Sequence, residues 1–136
     1  MTVLALVAAA FLFPAEAGDV TELQAEDVET TVYFDYGSNT LGSAGLLLVR
    51  EASETALAAG FTRASVMGHA DRAGPADQNY QTGMERAEAV AVILIDAGFD
   101  ADNVEVDSAG ETEPAVFYED ERREPRNRRA VISFER

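Results

Sequence analysis

Hydrophobic positions along the chain fall into runs of two kinds. Thr31-Val32-Tyr33-Phe34 is β-branched and aromatic and stops at Asp35-Tyr36-Gly37-Ser38-Asn39. That pattern predicts a strand over residues 30–34 that ends in a turn. Residues 46–59 are rich in Ala and Leu and close on Gly60, as a helix with a glycine terminator does. The predicted inner face of this helix is Leu48, Ala52, Ala56 and Ala59, and Arg50 and Glu54 are placed to pair four residues apart. Residues 61–67 predict a second strand, ending at Gly68-His69-Ala70-Asp71. A long helix is predicted from Pro75, which is tolerated at a first helical position, to Ala97, with Gly98 ending it. Residues 104–108 and 130–134 predict the last two strands, and the charged stretch 110–129 between them reads mostly as loop. The order β-α-β-α-β-β predicts an α/β (α+β) two-layer sandwich, with both helices packed on one face of a mixed sheet.

The long helix carries an anomaly. At 100° per residue, Asp77, Gln81, Glu85, Glu88 and Asp96 form a solvated stripe, while Ala87, Val90, Ala91, Leu94 and Ala97 form the opposite, core-facing one. Val92 and Ile95 interrupt the solvated stripe, which predicts cover on more than one side of the helix end. Arg86 lies about 130° from the centre of the polar stripe, and Asn79 falls within about 20° of Arg86. Thr82 shares their side one turn earlier. A charged residue on that side has two readings. Arg86 snorkels outward or neutralises an internal carboxylate, or it reaches the loop after the second strand, where Asp71 sits. Held slightly apart, that cation and anion would suit a zwitterion.

Composition and the N-terminus narrow the function classes. The sequence has no cysteine and one histidine, His69, which excludes disulfides, thiolate metal sites, a cysteine nucleophile and multi-histidine metal centres. No metal and no cofactor is expected. Ten basic residues, all arginine, face 25 acidic ones for a net charge of −15, the opposite of a nucleic-acid-binding surface. Residues 3–13 form an apolar run too short to span a bilayer, which needs about 20 residues. It precedes Pro14-Ala15-Glu16-Ala17-Gly18, an A-x-A signature, so residues 1–17 are predicted to be a secretory signal cleaved after Ala17. Residues 18–29 read as an acidic linker and residues 30–136 as the folded domain.

Several blocks of sequence together resemble the OmpA-like peptidoglycan-binding family. Gly68-His69-Ala70-Asp71-Arg72-Ala73-Gly74, then Asn79, then Gly83-Met84-Glu85-Arg86-Ala87-Glu88-Ala89-Val90 is similar to its central motif. Tyr33-Phe34-Asp35-Tyr36, Gly110-Glu111-Thr112-Glu113-Pro114 and Asn127-Arg128-Arg129-Ala130-Val131 resemble its flanking segments in the same order. Ala70 and Gly83 are similar to the subgroup of peptidoglycan-associated lipoproteins, the outer-membrane arm of the Tol system. Thr82 stands where the family usually has leucine, and Gly18 where a lipoprotein would carry its acylated cysteine, so no lipid anchor is expected.

The resemblance implies non-covalent, non-enzymatic binding of the diaminopimelate residue in peptidoglycan stem peptides. It places the protein in the periplasm, associated with the wall at the inner face of the outer membrane. Asp71 would accept from the ligand ammonium, and Arg86 would hold the carboxylate. The same matching adds Phe34, Asp35, Asn79, Thr82, Asn127 and Arg128 to the site. Two rival readings remain. In one, the domain docks only to a Tol-system or other envelope protein. In the other, Asp35, Asp71 and Glu111 serve as acid/base carboxylates of a hydrolase, although no motif orders a water or a nucleophile.

Overall fold

The computed structural model describes residues 28–114 and 124–136. The predicted signal at 1–17, most of the predicted linker and the acidic stretch 115–123 lie outside the described residues. Six elements follow in order: β1 (Val28–Tyr33), α1 (Ser43–Ala58), β2 (Arg63–His69), α2 (Ala76–Ala97), β3 (Val104–Gly110) and β4 (Arg129–Glu135). Short 3-10 turns occupy Ala101–Asn103 and Pro125–Asn127. The sheet order is β1-β4-β2-β3. The last strand lies antiparallel between β1 and β2, and β2 runs parallel to β3. This is the mixed two-layer arrangement the sequence predicts. Strand β1 begins two residues earlier than expected, so Val28 and Glu29 belong to the sheet and not to the linker.

Alternation along the strands sets the layers. Ala130, Ile132 and Phe134 of β4 and Ala64 and Val66 of β2 point into one core with Val90 and Leu94 of α2. Residues at the intervening positions face the other side of the sheet. Phe134, Leu94, Ile132, Val49, Val66 and Val90 are almost completely buried, and each such burial contributes about 1.5–3 kcal/mol. The predicted core stripe of α2 is observed at Ala87, Val90, Ala91 and Leu94. Val92 and Ile95 are 66% and 41% exposed, so the expected second covering of that helix end is not present among the described residues.

Helix α1 is rotated relative to its predicted face. Its buried positions are Val49, Ser53 and Ala56, whereas Leu48 and Ala59 are exposed. Ser53 can occupy the apolar face because its hydroxyl donates to the Val49 carbonyl one turn earlier, at 2.7 Å. Arg50 does not pair with Glu54; it reaches Asp96 of α2 at 3.1 Å.

The close approach of α2 to β2 depends on two glycines. A Cβ on Gly68 would lie 1.7 Å from the Gly83 carbonyl oxygen, and one on Gly83 would lie 2.3 Å from Ser108 Oγ. Helix backbone therefore rests directly on strand backbone, three residues before Asp71 on one side and three before Arg86 on the other. Gly68→Ala should cost about 2–3 kcal/mol, toward the upper end for overpacking, because the clash is with backbone and no rotamer relieves it. A urea midpoint unchanged from wild type would refute this packing.

Candidate functional site

Three segments meet at the C-terminal ends of β1 and β2: the turn after β1, the loop between β2 and α2, and the 3-10 turn before β4. The first turn is closed by the Ser38 N–H donating to the Asp35 carbonyl at 3.0 Å, with Gly37 in the left-handed region at φ +73°. Two contacts tie it to α2: Asn39 Nδ2 donates to Glu85 Oε1 at 2.7 Å, and Arg86 binds the Ser38 carbonyl.

Arg86 is 2% exposed. Its Nε and Nη2 donate to the Ser38 carbonyl at 3.1 and 3.0 Å, and Nη1 donates to the His69 carbonyl at 2.9 Å. The guanidinium lies over the Phe34 ring, 5.3 Å from its centroid. No carboxylate forms an ion pair with it among the described residues. Burial pushes its pKa down to about 10, the nearby Asp71 charge raises it and Arg128 lowers it. Arginine has five N–H donors; three are engaged with carbonyls, leaving one on each Nη.

Asp71, 5% exposed, takes a different partner from the one periodicity suggests. Its Oδ2 accepts from Arg128 Nη1 at 3.1 Å and from the Glu124 N–H at 3.2 Å. Among the described residues its Oδ1 accepts only the Ala73 N–H, at 3.3 Å. Arg128 is itself fixed by Nε donating to the Phe34 carbonyl at 3.1 Å, and it lies over the Tyr36 ring. The site thus separates its charges: an anion held by Arg128 and a cation held by neutral carbonyls.

The remaining predicted residues divide between rim and frame. Phe34 is core and also a shelf for Arg86. Asp35 is exposed, and with Phe34, Pro125 and Arg128 it lines a groove of about 300 Å³. Asn79 is buried, and its amide donates to Glu111 Oε1 at 2.8 Å and to the Gly74 carbonyl at 3.3 Å. It fastens the start of α2 to the end of β3. Arg72 meets the same Glu111 at 3.6 Å. Thr82 is half-buried. Asn127, 2% exposed, lies in the 3-10 turn that presents Arg128. Sequence reasoning missed Ser38, His69 and Glu124 as contributors because each acts through its backbone. The turn at Glu124 had a legible signal, an acidic N-cap followed by Pro125.

His69 turns its side chain to the opposite face of the sheet. Burial, then the Arg129 charge, lower its pKa from 6.5 to about 4, against a raising contact with the Glu113 carbonyl. Its neutral form therefore stabilises the fold fully above 6.5, and that contribution is lost as pH falls from 6.5 through about 4. As this is the one histidine in the sequence, denaturant midpoints measured across that window should fall more steeply for wild type than for His69→Gln. Equal slopes would show that the imidazole is not buried in its neutral form.

Together, a mixed sheet under two helices and a charged site built at the first turn and the β2–α2 loop define a small two-layer α/β domain of binding type. The sequence pattern of the OmpA family matches residues 33–128, and the chain belongs to that family. It is 33% identical over 102 residues to the peptidoglycan-associated lipoprotein of Legionella pneumophila, covering 75% of this chain and 58% of that protein. It is 32% identical over 104 residues to the protein of the same name from Pasteurella multocida, covering 76% and 69%. The crystal structure of the peptidoglycan-associated lipoprotein from Burkholderia pseudomallei superposes with a TM-score of 0.69 at 27% identity, over 77% of this chain and 89% of that one.

Proposed function

We propose that this domain binds peptidoglycan non-covalently in the periplasm by holding the diaminopimelate residue of stem peptides between Arg86 and Asp71. The observation that carries the reading is Arg86: a buried cation fixed by two backbone carbonyls, with one N–H left on each Nη and no carboxylate partner among the described residues. Two parallel donors suit a carboxylate, and the under-used Oδ1 of Asp71 suits an ammonium. The free end of diaminopimelate carries both groups on one carbon. Relatives named for peptidoglycan association support the same reading. With a net charge of −15 the chain gains nothing at long range from an anionic wall, so affinity comes from matched groups at contact.

The test is co-sedimentation with purified sacculi of two chemistries. Diaminopimelate-type walls should carry the protein into the pellet. Lysine-type walls, whose side chain lacks the terminal carboxylate that Arg86 needs, should leave most of it in the supernatant. Equal recovery with both walls would reject the site as drawn, and no recovery with either would reject wall binding itself.

A further inference from the structure

We infer that Glu85 is a positioning residue for the site: by holding Asn39 it fixes the Ser38 turn, whose carbonyl sets the orientation of the Arg86 guanidinium. The consequence for ligand affinity rests on the diaminopimelate reading above. Glu85 is the odd member of its stripe. Asp77, Gln81, Glu88 and Asp96 are exposed, as the sequence pattern predicts, whereas Glu85 is half-buried. The turn after β1 covers it, and there Asn39 Nδ2 donates to Glu85 Oε1 at 2.7 Å. An ionised acceptor makes such a bond roughly twice as strong as one between neutral groups.

Arg86 takes its orientation from two carbonyls of unequal rigidity. The His69 carbonyl, which receives Nη1, belongs to β2, a strand paired on both sides. The Ser38 carbonyl, which receives Nε and Nη2, belongs to a turn whose residues 35–37 are exposed. Leu41 packs against the core and holds the far end of that turn. Near Ser38 itself, the side chains of α2 that reach the turn are those of Arg86 and Glu85. Arg86 cannot both fix the turn and be fixed by it, so Glu85 supplies the independent anchor. Successive residues of a helix project about 100° apart, and Glu85 and Arg86 therefore grip the turn from two directions. A guanidinium locked in this way presents the N–H left on each Nη without having to be ordered by the ligand, and that saving appears as affinity.

The test reads the guanidinium directly, in NMR spectra of the purified protein. A buried, hydrogen-bonded arginine Nε–H gives a sharp signal that exchanges slowly with water, and the Arg86 signal is assigned by its loss in Arg86→Leu. Glu85→Ala and Asn39→Ala should each shift this signal and speed its exchange. Glu85→Gln, which keeps an acceptor oxygen, should leave it as in wild type. Alanine is the best helix former, so the urea midpoint of Glu85→Ala should stay close to that of wild type.

Binding is followed in parallel by titrating a soluble stem peptide that ends in meso-diaminopimelate. Affinity should fall about tenfold in each alanine variant, the effect of losing one hydrogen bond to a charged group, and Glu85→Gln should retain it. The double variant should be no weaker than either single one, because both remove the same contact. An Arg86 signal unmoved by both alanine variants, or moved as far by Glu85→Gln, would overturn the inference. A fall in affinity at an unmoved signal would also overturn it, since Glu85 would then touch the ligand itself. Failure of the wild type to bind the peptide would reject the diaminopimelate reading, and the Nε–H signal would still decide whether Glu85 positions Arg86.

Discussion

Arg86→Leu should all but abolish co-sedimentation with diaminopimelate-type sacculi. Removing one partner of a buried, hydrogen-bonded charge contact typically costs 2–5 kcal/mol of binding, which is a fall in affinity of about 30-fold to several-thousand-fold. The side chain has a second duty, because it ties the Ser38 turn to the end of β2 through two carbonyls. Its loss leaves those carbonyls without a donor, at a stability cost of about 1–3 kcal/mol. Binding and folding therefore need separate readouts, and circular dichroism should show the variant still folded. Arg86→Lys sharpens the test. Lysine keeps the charge but cannot hold two carbonyls and still present parallel donors, so it should recover little binding. Asp71→Asn is close to isosteric and should reduce sedimentation comparably. If Arg86→Leu sediments like wild type while remaining folded, the buried guanidinium serves the fold alone.

What could be read from the sequence, and what could not, follows from the range of each interaction. Helix α2 was legible because its signals are local: Gly74-Pro75 before it, Gly98 after it, and a polar stripe whose complement is the core. The same periodicity placed Arg86 and Asn79 on the sheet side, where both are buried. Helix α1 misled because a buried serine satisfied by its own helix looks polar in a pattern. Leu46, Leu47 and Leu48, all exposed, drew the predicted face toward themselves. At the site, the Asp71 to Arg128 contact spans 57 positions, and the acceptors of Arg86 are main-chain atoms that any residue could supply. Neither leaves a trace in local spacing. Family resemblance alone brought Arg128 into the set, and it did not pair Arg128 with Asp71.

The Asp71–Arg128 contact also has an expected energetic signature. Both side chains are largely buried, at 6% and 10% exposure for Asp71 and Arg128, and a buried ion pair that loses one member leaves an uncompensated charge. Arg128→Leu should accordingly destabilise the domain by about 3–5 kcal/mol, read as a lower urea midpoint. Beyond the pair itself, the variant gives up the donor to the Phe34 carbonyl and with it the bridge between the first turn and the start of β4. Asp71→Asn in the same background removes the stranded charge. The double variant should then be more stable than Arg128→Leu alone, and the two substitutions should be non-additive, as groups in direct contact are. Strict additivity would mean that the pair is not coupled in the folded domain. The comparison with binding separates two roles for Arg128. A residue that acts by holding Asp71 in place loses stability and binding together, whereas one that touches the ligand loses binding in the pellet assay at unchanged urea midpoint. The fixed geometry of the guanidinium, with Nε on one carbonyl and Nη1 on the carboxylate, favours the first outcome.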